Sequence, residues 1–351
     1  MAVATIQTSE GESQFRIEAT GAFREPRTRI LKHGDTFAVL NHFGDIAGDR
    51  GSPDGLYHHD TRHLSQLELY LNGDRPLLLS ANPGEDDALL TVDLANPDMT
   101  DLDGGALHRE RIYINRRQFV WENAYNELVL VRNFDVEPHV ITLSLRFAAD
   151  FVDVFEVRGQ HRAKRGRRSA ERLSDEAVVL RYWGLDGVER DTHLRFEPPP
   201  ARLDTSSAQF ILKLKGKWGV RRYYGALRAA RHASRQASGR AASLESSNAV
   251  FNELARRSVA DLYMLMTDTP HGPYPYAGIP WYSTVFGRDG IITALLTLWT
   301  DPTIAKGVLS FLAAEQATEI DPERDAEPGK ILHEMRQGEM ARLGEVPFAR
   351  Y

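Results

Sequence analysis

Near Ser246 the spacing of apolar residues changes from two to about 3.6. Alternation puts every second side chain on one face of a strand, whereas the longer period puts them on one stripe of a helix. No single element type satisfies both, so the chain must join a β part to an α part. Before the switch, short alternating runs recur between turn signals: Thr36 to Leu40, Leu64 to Leu71, Leu128 to Phe134, Val140 to Phe147, Val178 to Trp183 and Phe210 to Leu214. Asn72-Gly73 follows one of them, and both residues tolerate the positive φ of a tight hairpin turn. Many short strands without intervening helices predict an antiparallel sandwich or barrel over about the first 225 residues.

After the switch, Ser246 and Ser247 are N-cap candidates, because a serine hydroxyl accepts from a free first-turn amide. Phe251, Leu254, Val259, Leu262, Leu265 and Met266 then fall on one helical face. A loop rich in Pro, Gly and Tyr, His271 to Pro280, precedes a second helix expected from near Arg288 to Trp299. Asp301-Pro302 opens a third, with Ile304, Val308, Phe311 and Leu312 as its apolar face. Asp321 to Gly329 is acidic and contains proline, and reads as a loop. Residues after about 245 are therefore expected to be almost entirely helical. The fold class is α+β in two parts: a β-sandwich at 1–225, an Arg/Ala/Ser-rich linker at 226–245, and a helical domain at 246–351.

Composition removes several functions. Net charge is −6, from 43 basic and 49 acidic residues; nucleic-acid partners usually demand a basic excess. There is no cysteine, which excludes disulfides, thiolate nucleophiles and Cys-ligated zinc. The N-terminus lacks the basic and apolar regions of a signal peptide. The longest apolar-rich stretch, Ile291 to Trp299, is far short of the ~20 residues of a membrane span. A cytoplasmic protein is expected, with no nucleic-acid or membrane partner.

Two stretches are strongly basic. Arg158 to Arg172 holds seven Lys or Arg and reads as a solvated, mobile hairpin loop. Arg221 to Arg240 carries six arginines and no acid, and reads as a partly helical linker.

Chemistry-bearing residues concentrate in Pro280 to Gly290, where Trp281, Tyr282 and Phe286 lead into the Arg288-Asp289 pair at a helix start. Aromatic faces pack on the C–H faces of a pyranose, while an arginine fork and a carboxylate bind hydroxyls. The residues fit equally a core of aromatics beside a structural ion pair. Near the end, His333, Glu334 and Arg336 stand within four positions; an acid/base group, a metal group and a salt-bridged loop all remain open. His58, His59, Asp60 and His63 invite a metal reading, but adjacent strand residues point to opposite faces. A structural Asp60–Arg62 pair is the expectation there, and no metal or other cofactor is implied.

In order along the chain, Asn41 to Ile46, Gly55 to Ser65, Leu71 to Gly73, Asp150 to Gly159, Pro280 to Gly290, Gly329 to Glu339, Val346 to Phe348 and Arg350-Tyr351 resemble bacterial amylo-α-1,6-glucosidases. These are glycogen-debranching-type glycoside hydrolases whose catalytic domain is an (α/α)6 barrel of the six-hairpin class. The resemblance runs from about Ile30 to Tyr351. It implies a sandwich followed by the opening helices of that barrel, and an α-glucan or oligosaccharide substrate. It also implies that Arg288 and Asp289 bind the innermost sugar, that Trp281, Tyr282 and Phe286 wall it, and that His333, Glu334 and Arg336 rim it.

Such enzymes hydrolyse with inversion, using two carboxyl groups roughly 6.5–9.5 Å apart. In the family both come from later in the barrel, the first in a Trp-Lys-Asp-Ser-type motif that this sequence does not contain. The chain is therefore expected to be a fragment, a truncated gene or one part of a split enzyme completed by a downstream chain. It is also expected to be inactive alone and to leave Ile292, Leu295 and Leu296 without neighbours. The rival reading is a non-catalytic carbohydrate-binding or assembly module that partners a separate catalytic chain.

Overall fold

The ladders that carry the first part of the chain are all antiparallel. The structure, a computed structural model, describes residues 28–48, 51–83, 89–216, 239 and 241–346, with the backbone ladder pairing Gln7–Ser9 to Glu12–Gln14. Almost all of the Arg221 to Arg240 linker, and Phe348, Arg350 and Tyr351, lie outside the described residues.

A five-stranded sheet runs in the order Arg202–Leu203, Ser207–Leu214, His139–Ala148, Gln66–Leu71, Ile46–Ala47. In its central strand His139, Ile141, Leu143, Leu145 and Phe147 are buried, and the residues between them face outward, as a strand covered on one face requires. A four-stranded sheet orders Ala124–Asn133, Ile112–Trp121, Leu90–Ala95 and Leu77–Pro83. Another runs through Arg29–His33, Thr36–Leu40, Gly55–His58 and Thr61–Leu64, and a three-stranded sheet through Arg167–Arg172, Ala177–Trp183 and Glu189–Arg195. Leu40, Leu69, Leu94, Ile114, Ile141 and Val178, drawn from all four sheets, share one core. Asn72 and Gly73 have φ of 46° and 92° and close the expected tight turn, with Leu71 and Asp74 bonded across it.

Three longer helices follow, Ala249–Leu265, Gly287–Thr297 and Pro302–Ala314. Asp301 caps the third through Thr303 N, and Ile304, Val308, Phe311 and Leu312 are buried as the period predicts. Three expectations need correction. The part after 245 is not almost entirely helical: a hairpin, Met266–Thr269 with Gly272–Pro275, interrupts it, and 276–286 and 315–338 are irregular. Pro273, Pro275 and Pro280 remove the amides a continuous helix would need. The first helix is capped by Asn248, whose side chain accepts from Val250 N and Phe251 N, while Ser246 Oγ instead accepts from Asn248 N. The basic stretch is not one mobile loop, because Arg167–Arg172 is an exposed edge strand. Within the same stretch Arg162 is buried among Glu156, Glu339 and Glu345.

Ile292, Leu295, Leu296 and Trp299 are exposed on the second helix and its end, Leu295 at 70% and Leu296 at 67%. Among the described residues no helix is long and apolar enough to cross a membrane.

Candidate functional site

One end of the β part meets the helical part through its turns. Phe37, Val39, Tyr57, Val152 and Val157 pack with Ile279 and Trp281. Around this apolar contact lie polar ties. Tyr276 Oη donates to Asp35 Oδ1 at 2.6 Å, and Lys32 Nζ donates to Thr267 Oγ1 at 2.8 Å. Burial, and then Asp35, push the Tyr276 hydroxyl well above its ordinary range.

The aromatic loop and the 333–336 segment run side by side. Phe286 and Glu334 form an antiparallel bridge, Gly287 N donates to His333 O at 3.0 Å, and Met335 N donates to Val285 O at 3.1 Å. Glycine makes this approach feasible: a Cβ on Gly287 would collide with Leu332 O, and one on Gly290 with the Tyr274 hydroxyl. That hydroxyl donates to Phe286 O at 2.9 Å, fixing the turn into the helix. Burial, then the charge of Asp289, push it above its ordinary range.

This seam brings the candidates into one neighbourhood, in different roles. Arg288 and Asp289 lie in the first turn of the helix, 74% and 38% exposed, with Arg288 Nε 3.4 Å from Asp289 Oδ1. Asp289 thus sits where the helix dipole favours a negative charge. Tyr282 is exposed and His333 is exposed, both meeting the buried Phe286 ring edge-on at 5.6 and 5.8 Å. Trp281 is half-buried in the apolar contact. Arg336 is buried and committed: its guanidinium donates to Glu334 Oε2 at 2.9 Å, Asp60 Oδ1 at 3.0 Å and Trp281 O at 3.0 Å. Burial opposes its charge, but Asp60 and Glu334 outweigh it and hold Arg336 above its ordinary range.

Two sequence expectations fail here. Asp60 does not pair with Arg62. Arg62 binds Asp150 through Nη2 at 2.5 Å and Nε at 3.1 Å, and Asp60 reaches across to Arg336. The reason is backbone: His59 and Asp60 take φ of 46° and 63°, so the chain turns and Asp60 leaves the strand's alternation. For the same reason His58 and His59 do not diverge; their rings are 4.0 Å apart, with His63 6.0 Å from His58. Burial holds His58 and His63 down at about 4, so these imidazoles are neutral at neutral pH. Among the described residues no group of His, Asp and Glu has the arrangement of a metal site.

Sequence reasoning also missed a second set of residues. Arg158 lies over the Tyr282 ring at 5.4 Å, and Arg336 over Phe155 at 5.2 Å and Phe286 at 5.5 Å, so cations and aromatics alternate across the junction. Glu339 accepts from Tyr182 Oη at 2.7 Å, Arg162 Nη1 at 2.8 Å and Leu185 N at 2.5 Å. Asp153 caps the short helix Val154–Val157 in a capping box with Glu156. That Asp-x-x-Glu pattern was a readable signal of a helix start; the partners of Glu339 were not readable, being more than 150 residues away.

Residues 31–222 match the family model for the N-terminal domain of some glycogen debranching enzymes. No curated protein matches the chain. The match covers the four antiparallel sheets and the Asp60, Asp153, Arg158 and Arg162 side of the junction. The chain therefore belongs to the family defined by the N-terminal domain of glycogen debranching enzymes.

Proposed function

We propose that the chain supplies the N-terminal part of a cytoplasmic amylo-α-1,6-glucosidase-type glycoside hydrolase acting on α-glucans or oligosaccharides. In this reading the domains follow the sequence division, a β-sandwich at 1–225 and the opening of an (α/α)6 barrel at 246–351. The supporting observation is the seam that pairs Phe286 with Glu334. It sets an open Arg288-Asp289 pair beside exposed Tyr282 and His333, with Phe286 and Arg336 as the rigid floor. Arg288 and Asp289 bind sugar hydroxyls here and perform no proton transfer. Neither general acid nor general base is assigned to this chain. The exposed Ile292, Leu295 and Leu296 are where further barrel helices, from this protein or a partner chain, would pack.

Calorimetric titration of the chain with maltose and maltotriose tests the reading. Saturable binding is expected. Asp289→Asn should weaken it roughly 10- to 200-fold, as loss of a charge-assisted hydrogen bond implies. Thermal unfolding should change by no more than about 1 kcal/mol, the share the helix dipole gives to an exposed first-turn carboxylate. Equal affinities for wild type and both Asp289→Asn and Arg288→Ala would remove these residues from the site. Binding retained on a chain ending after the β part would favour a carbohydrate-binding module.

A further inference from the structure

We propose that Asp60 and Asp153 are positioning residues for the candidate site: together they form a two-carboxylate socket, with room only for glycine, that seats the 334–340 arm on the β part. The inference builds on the reading of 281–289 and 333–336 as a sugar site, but the socket itself is defined by contacts that involve no ligand. Asp60 accepts from Arg336 Nη1 at 3.0 Å and from Gln337 N at 2.9 Å. Asp153 accepts from Phe155 N at 3.1 Å with one oxygen and from Met340 N at 3.1 Å with the other. One carboxylate therefore caps both its own helix and the first turn of Glu339–Arg342.

Between the two acids lies Gly338. A Cβ there would overlap the Asp153 carboxylate and crowd Asp60 Cβ. The acids are themselves held on a common frame: Val154 N donates to Asp60 O at 2.8 Å, and Thr61 bridges Asp153. From Asp60 the grip passes through Arg336 to Glu334 and to the carbonyl of Trp281, so both segments of the candidate site depend on it. The β part thereby sets the geometry of a site whose sugar-facing residues all belong to the other part.

The socket is also sensitive to protons. Burial first, then the charge of Asp60, push the Asp153 carboxyl up to about 7, against the two amides that favour its charged form. The charged groups around it are Asp60 from the 58–61 turn and Glu156 from its own helix. From the arm come Arg336, bound to Asp60, and Glu339, neutralised by Arg162. Gly338 of the arm packs on the Asp153 carboxyl and adds to its burial, so the seated state binds the proton more tightly than the released one. Its advantage is full below the ordinary carboxylate value and is lost as pH rises through about 7. The seated-to-released ratio is expected to fall as pH rises from 5 to 8, by less than the whole shift implies, because Asp60 and Glu156 stay beside Asp153 in both states.

Hydrogen exchange of the whole chain, corrected for intrinsic rates, tests this. In wild type the amides of 334–340 should lose protection from pH 5 to pH 8, while those of His139–Ala148 hold theirs. Asp153→Asn should flatten that pH profile. Asp60→Asn should speed exchange across 334–340 about 10- to 100-fold, the loss expected of a charge-assisted bond. It should also weaken maltose binding at least several-fold. Gly338→Ala perturbs the socket from the arm side, so it serves if either carboxylate variant fails to fold. Arm exchange unchanged in all folded variants, or a wild-type arm with a flat pH profile, would overturn the proposal. An arm that responds as expected in a chain that binds no maltose would sink the sugar reading and leave the socket standing.

Discussion

Lys32 offers the sharpest test of how the two parts are joined, because two opposing effects meet on one ammonium. It is buried on the Arg29–His33 strand. Its Nζ lies 3.4 Å from Leu265 O, 3.3 Å from Met266 O and 2.8 Å from Thr267 Oγ1, at the C-terminal end of the Ala249–Leu265 helix. The helix end favours a cation there, and Asp35 and Asp268 add to that. Burial opposes it more strongly and brings the amine down from 10.5 to about 7. A neutral amine still donates two hydrogen bonds, enough for Thr267 and one carbonyl, so the junction keeps its contacts when the proton leaves. The sign follows from proton counting. Below about 7 both folded and unfolded chains carry the proton. Between about 7 and 10.5 the unfolded chain binds more, so stability rises with pH across that window. At about 1.36 kcal/mol per unit the full rise is on the order of 4–5 kcal/mol. Urea unfolding from pH 6.5 to 10 should show the rise in wild type. In Lys32→Met, which keeps the apolar stem, the component should be missing. Parallel pH profiles for the two proteins would mean that Lys32 stays charged and that the helix end, not burial, governs it.

Other outcomes follow from single features. Arg116 is fully buried between Asp45 at 2.5 Å and Glu127 at 2.6 Å, so Arg116→Met leaves Glu127 without its guanidinium and Asp45 with Arg75 alone, and should cost about 3–5 kcal/mol, read by denaturant unfolding. His58 and His63, held down at about 4 by burial, take up protons only on unfolding between pH 6.5 and 4, so stability should fall across that range and His63→Gln should reduce the slope. Leu295→Lys with Leu296→Lys should change unfolding by no more than about 0.5 kcal/mol while reducing self-association in sedimentation, because both side chains are already in solvent.

The sequence made the elements legible where one physical signal decides them. Ile304, Val308, Phe311 and Leu312 at helical spacing behind Asp301-Pro302 fold as read, because cap, proline and stripe agree. Thr36–Leu40 forms the expected strand, although all five of its residues are buried rather than every second one, and Asn72-Gly73 closes the expected turn. The aromatic loop and the 333–336 segment could be singled out by residue type, yet their pairing could not, since a bridge between Phe286 and Glu334 depends on what surrounds both. The errors share a cause. Asp60–Arg62 and the divergent His58 and His59 assumed that strand alternation continues through 59–60, where positive φ ends it. The basic stretch was judged by its charge alone, but Arg162 meets Glu339 and Glu345 from nearly the other end of the chain.

Those long-range partners bear on why the junction uses charge at all. Asp35, Asp60 and Asp153 of the β part receive Tyr276, Arg336, Gln337 N and Met340 N of the helical part, while Lys32 and Arg162 reach the other way. Desolvating such groups offsets much of what their attraction returns, so they are poor sources of net stability. The apolar contact of Phe37, Tyr57 and Val152 with Ile279 and Trp281 supplies that. What directional bonds add is register: an apolar patch tolerates sliding, whereas a carboxylate accepting from Gln337 N and from Arg336 at once does not. The proposed sugar site, made from two chain segments, would need this, because a displacement of about 1 Å costs binding geometry that side chains alone cannot restore. The charges at the junction are thus best understood as fixing where the Phe286–Glu334 seam lies, with the apolar contact holding it there.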